Sequence, residues 1–123
     1  MNEALKRLSG ILDEAVDEIA KCEAEAVREV DENGNQAGFE SWMIEKAEVL
    51  VSLPEKVRDA AEAVGGELGA FVLDRVEQYS SSAETSLEIN SPFFMSALLY
   101  PSSHQPGEPN NLELVAKRVR EAL

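Results

Sequence analysis

Carboxylates in this chain fall in pairs one helical turn apart: Asp13–Asp17, Glu14–Glu18 and Glu25–Glu29. Paired carboxylates are the raw material of general acid–base catalysis, but that chemistry needs at least one of the two in a desolvated pocket. On the surface of a helix both members face water. What remains is repulsion, which disfavours the helix by roughly 0.2–0.5 kcal/mol per like-charge pair. Glu3–Arg7 and Asp17–Lys21 have the favourable order but do not offset three repulsive pairs. A physical use for such pairs is the display of charge. One i,i+4 step rises about 6 Å along a helix axis, close to two phosphate steps of about 3.4 Å on a DNA strand. Asp13, Glu14, Asp17, Glu18, Glu25 and Glu29 are therefore the candidate partner-binding residues.

The other reactive residues form no complete motif. Asp31-x-Asn33-x-Asn35 begins like a calcium-binding loop, yet Gln36 and Trp42 occupy the positions where that loop needs glycine and glutamate. The segment reads instead as a polar turn between helices. His104 is the sole histidine and sits among prolines, while Cys22, the sole cysteine, falls on an apolar helix seam. A dyad of the two would need an exposed thiol, so Cys22 reads as a buried structural residue. No Gly-x-Ser-x-Gly elbow accompanies the serines, and no helix carries a histidine for a Glu-x-x-His metal site. Gly65-Gly66-Glu-Leu-Gly69 lacks both the spacing and the lysine of a phosphate loop. The expectation is a protein that is not an enzyme and uses no metal or cofactor.

The net charge of −13, from 24 acids and 11 bases, narrows the partners. Phosphate backbones and anionic membrane surfaces are recognised by Lys and Arg, so neither direct nucleic-acid binding nor membrane binding is expected. A basic protein, or a nucleic-acid-binding complex, is the expected partner, and long-range steering would speed that encounter. Nineteen of the acids are Glu and five are Asp, a bias that matches helix composition more than adaptation to salt. A lone cysteine excludes an internal disulfide. The first residues lack the apolar core of a signal peptide, and no uncharged run approaches a membrane span, so the expected location is cytoplasmic.

These residues are carried by helices. Leu5, Leu8, Leu12, Ala15, Ile19, Cys22 and Ala26 step by three and four, predicting a long N-terminal helix over about 2–30 with Val27 or Val30 also buried. Phe39, Trp42, Met43, Ala47, Leu50 and Leu53 predict a second helix. Ser52-Leu-Pro-Glu55 resembles a capping box with proline in the first turn, predicting the start of a third. Gly65-Gly66 either ends or kinks it, and Leu68, Phe71, Val72, Val76 and Tyr79 resume the period. The polar run 80–86 reads as a connection, and 85–89 as weakly extended. Ser91-Pro92 opens an apolar helix, Phe93 to Tyr100, whose all-round apolar surface predicts burial. Asn110-x-x-Glu113 caps a final helix through Leu123.

The expected fold is all-α, with five or six helices in an irregular bundle forming one domain over residues 1–123. A helix of about 29 residues spans roughly 44 Å, longer than a compact domain of this size, whose diameter is on the order of 35 Å. The small residues around Gly65 and Gly69 offer a close-approach surface. Both points predict a homo-oligomer. The expected function is binding, and inhibition, of a basic partner by mimicry of nucleic-acid charge. By charge and size alone the chain is analogous to immunity or phage anti-defence proteins. The alternative is a helical adaptor or chaperone that takes a peptide or helix on exposed apolar surface, with Phe93–Tyr100 as its feature.

Overall fold

The computed structural model describes residues 2–123. Helix α1 (Glu3–Asn33) buries the predicted seam from Leu5 to Ala26, with Leu8 and Leu12 wholly enclosed. Each fully buried leucine is worth about 1.5–3 kcal/mol. Gly34 ends the helix in the left-handed region (φ +57°), its N–H bonded to the Val30 carbonyl. Val27 and Val30 are exposed, contrary to expectation. Past Ala26 no residue of α1 is buried, and Gln36 and Ala37 at the start of α2 are themselves exposed.

Helix α2 (Gln36–Val64) returns antiparallel to α1, capped by the Asn35 side chain, which accepts from the Gly38 N–H at 3.0 Å. It runs unbroken through Pro54, so the capping box at Ser52 starts no third helix. Proline removes one intrahelical donor and its ring crowds the carbonyl of the preceding turn. The carbonyl that loses its donor is that of Leu50; on either side of it Ser52 Oγ donates to the Val49 carbonyl and Ser80 Oγ, from the next helix, to the Val51 carbonyl. Burial of Leu50, Leu53, Pro54 and Val57 then holds the segment in place.

A single residue, Gly65 (φ +65°), separates α2 from α3 (Gly66–Glu88). The two helices then approach so closely at Gly69 that an added Cβ would strike the Ala61 backbone carbonyl. Ala60, Ala61 and Gly69 of the small-residue run are thus buried inside the chain, while Ala63, Gly66 and Ala70 stay exposed. Helix α3 continues through residues 80–88, where the polar composition predicts a connection and a weakly extended piece. Ser80, Ala83 and Ser86 are the reason: all three are buried, and each serine donates to a helical carbonyl.

Helix α4 (Pro92–Ala97) is capped by Ser91, which accepts from the Phe94 N–H, and it ends at Leu98, well before Pro101. Leu99 takes a positive φ of 76°. A loop then leads to α5 (Asn111–Glu121), opened by the predicted capping box of Asn110 and Glu113. Helix α5 lies antiparallel to α1, with Arg120 bonded to Asp13 and the residues preceding α5 near Glu23. Among the described residues there are five helices and no strand. The long α1 is matched along most of its length by α2 and forms an elongated bundle with it.

Candidate functional site

The six predicted carboxylates occupy the outer side of α1, and the structure divides them into two groups. Asp13 is held by Arg120 at 2.8 Å, and Glu25 by Arg28 at 2.9 Å. Glu29 accepts from Asn35 Nδ2 at 2.6 Å and from Asn33 Nδ2 at 3.4 Å, so it clamps the α1–α2 turn. Glu14, Asp17 and Glu18 are exposed and, among the described residues, have no basic partner within salt-bridge distance. Glu14 and Glu18 also edge a depression of about 290 Å³ between α1 and α2, together with Ile11, Val49, Leu53 and Lys56. Among the described residues, Glu14, Asp17 and Glu18 are thus the members of the set without an ion pair or turn contact, gathered within little more than one helical turn.

A second surface was only half legible. Met95, Leu98 and Leu99 are buried, but Phe93 is 74% and Phe94 53% exposed, so the apolar segment is not enclosed all round. A six-residue helix pinned by Met95 has one inward side, and the two phenylalanines fall on the other. Their rings meet edge to face at 5.7 Å. Beside them opens a cleft of about 590 Å³ between α3, α4 and the residues leading to α5. Gln78, Ser82, Thr85 and Ile89 form one wall, and Phe94, Ala97, Leu98 and Pro101 the other. None of its fifteen lining residues is charged, in a chain where 28% of residues are.

The α4 wall is fixed by a buried polar network that sequence reading missed. Lys46 of α2 has no solvent exposure. Its Nζ lies 3.0 Å from Glu23 Oε2 and donates to the Ser96 carbonyl of α4 at 3.1 Å. The Tyr100 hydroxyl donates to the other Glu23 oxygen at 2.7 Å, and the ammonium stands 5.1 Å from the Tyr100 ring centroid. Burial pushes the Lys46 ammonium below its ordinary range, with Glu23 pulling the other way. Burial and the bond to Glu23 push Tyr100 up to about 12. One signal was available. Lys46 sits on the same stripe as Met43, Ala47 and Leu50 and has a large acid pool to pair with.

Cys22 is buried as expected, and burial, followed by Glu45, pushes its thiol up, away from the reactive thiolate. The His104 ring packs edge-on to Tyr100, with Nε2 2.8 Å from the Glu108 carbonyl oxygen. Among the described residues no group of three His, Cys, Asp or Glu side chains could hold a metal ion. No helix is long and apolar enough to cross a membrane. Comparison with protein-family models, with curated proteins and with solved structures gives no match.

Proposed function

We propose that this is a non-enzymatic binding protein that occupies the basic surface of a partner protein and inhibits it, in the manner of a nucleic-acid mimic. The observation that carries the reading is the trio Glu14, Asp17 and Glu18. These carboxylates are exposed and, among the described residues, have no salt-bridge partner, in a chain of net charge −13. Asp13, Glu25 and Glu29, spent on internal ion pairs and the turn, support the helix and contribute mainly to the field. The partner class that fits is a protein whose own ligand is a phosphate backbone, because its Lys and Arg are already spaced for it. The same charge balance argues against direct nucleic-acid or membrane binding. A cytoplasmic setting and self-association fit this reading without being required by it.

The test is capture of partners from the native host, followed by charge reversal. Glu14→Lys, Asp17→Lys and Glu18→Lys change only exposed side chains, so the fold should be kept. Association with the captured partner should slow by about tenfold or more, as expected when steering charges are inverted. Wild-type affinity should fall as ionic strength rises from roughly 0.05 to 0.5 M and the Debye length shrinks. A partner whose binding ignores both the reversal and the salt would overturn the proposal.

A further inference from the structure

The charge-free cleft lies apart from the acidic face, and the reading of α1 does not use it. Phe93 and Phe94 are not the residue of a loose end. Ser91 caps their helix, Met95 is wholly buried beneath it, and Lys46 bonds the Ser96 carbonyl. Ile89, 54% exposed, adds to the same patch from the end of α3. The chain thus fixes three large apolar side chains in water beside a cleft whose volume falls in the range of ligand pockets.

Charge around the cleft selects the occupant. Gln78, Ser82, Thr85 and Ile89 step along α3 into the cleft at helical spacing. Glu77, Glu84 and Glu88 step along the same helix on the neighbouring stripe, all exposed and, among the described residues, without salt-bridge partners. A neutral floor with an acidic border matches a ligand with an apolar stripe and cationic flanks. A second copy of this chain would bring its own −13 against that border, so repulsion disfavours it. No strand edge is offered among the described residues, which leaves helix-in-groove recognition as the fitting geometry.

We infer that the α3–α4 cleft binds a cationic amphipathic helix of a partner protein. Apolar anchors at i, i+3, i+4 and i+7 seat against Phe93, Phe94, Leu98 and Ile89, while flanking Lys or Arg meet Glu77, Glu84 and Glu88.

The probe is a labelled Leu/Lys peptide with that apolar spacing, read by fluorescence anisotropy on the full chain. A Leu/Glu peptide of the same apolar pattern and a scrambled Leu/Lys peptide serve as controls. The Leu/Lys helix should bind saturably and about tenfold tighter than either control, the difference of one good anchor. Phe93→Ser with Phe94→Ser should weaken it about tenfold. Both side chains are exposed, so an unchanged thermal melt should confirm the fold. Glu84→Lys with Glu88→Lys should weaken binding and flatten its salt dependence. The Glu14, Asp17 and Glu18 reversal should leave binding within about twofold, which separates this site from the α1 face. Equal binding of the scrambled peptide, indifference to the phenylalanine changes, or loss on reversing α1 would each overturn the inference. So would a dimer that dissociates on removing Phe93 and Phe94 while the peptide fails to bind, since the cleft would then belong to a second copy.

Discussion

The acidic face of α1 and the cleft beside α4 are built by opposite means. Glu14, Asp17 and Glu18 need only a straight helix beneath them, and the Leu5–Ala26 seam supplies it. The cleft needs α3, α4, the lead into α5 and a buried lysine from α2 to hold one wall. Charge acts over about 8 Å in physiological salt, so a face that works by charge tolerates small displacements. Apolar anchoring is lost over a fraction of an ångström of gap. Demanding geometry therefore falls to the surface that carries no charge.

That contrast can be broken at its base. Leu12→Asp places an unpaired carboxylate where a wholly buried leucine stood and should cost on the order of 4–5 kcal/mol. Both surfaces would be lost together, with a melting temperature lowered by well over ten degrees or no folded state at all. A melt like that of the parent would mean that the α1 seam is not the platform.

A smaller lesion should separate the two surfaces. Glu23→Leu leaves the Lys46 ammonium buried without its counter-charge and the Tyr100 hydroxyl without its acceptor, at a cost of about 3 kcal/mol. Lys46 can shed part of that cost by losing its proton. Helix α4 should loosen first, so hydrogen exchange at Met95 to Leu99 should accelerate while amides of α1 near Leu12 stay protected. Uniform acceleration along the chain would show that the network serves the whole bundle and not the cleft wall.

The gentlest probe is alkali. Tyr100 is raised from 10.0 to about 12, so between those values the folded chain keeps a proton that the unfolded chain releases. Its contribution to stability is present below pH 10 and fades as pH climbs toward 12. Tyr79 and Cys22, also raised, have the same sign. Lys46 is lowered and has the opposite sign, because deprotonation relieves its burial as pH rises toward 10.5. Urea unfolding between pH 9 and 12 should show stability falling, with a shallower slope in Tyr100→Phe. Equal slopes would remove Tyr100 from the linkage.

The parts of this molecule that can be read from the chain are those where one face of one helix carries the information. The α1 seam and the Asn110–Glu113 cap are of that kind, since periodicity and a three-residue spacing are local. Pro54 misleads because its local meaning, a helix start, is overridden by burial of Leu50, Leu53 and Val57 and by the Ser80 hydroxyl, from a helix about thirty residues away. Ser80 and Ser86 mislead for the complementary reason: serines bonded to helical carbonyls are as buried as alanines. For Lys46, the stripe shows a lysine on an apolar face but not whether its ammonium escapes to water or finds Glu23. The acidic face was legible as a set of residues. The contacts of Asp13 with Arg120 and of Glu29 with the α1–α2 turn depend on a tertiary neighbour and on a turn, whereas the Glu25–Arg28 pair is a local i,i+3 contact.

The order of the helices has a consequence for how the bundle assembles. Helix α2 packs on α1 across a two-residue turn and α3 on α2 across one glycine, so most of the structure is joined by neighbours in the chain. Helices α4 and α5 are the exceptions. Lys46 of α2 meets Ser96 of α4 over 50 residues, and Arg120 of α5 meets Asp13 over 107. Local pairings close quickly and distant ones slowly. The first three helices can form a nucleus while the C-terminal quarter is still unfolded. Docking of α5 on α1 is then the late step, and with it the lead into α5 completes the cleft. Newly made chains would carry the acidic face before they carry the apolar one.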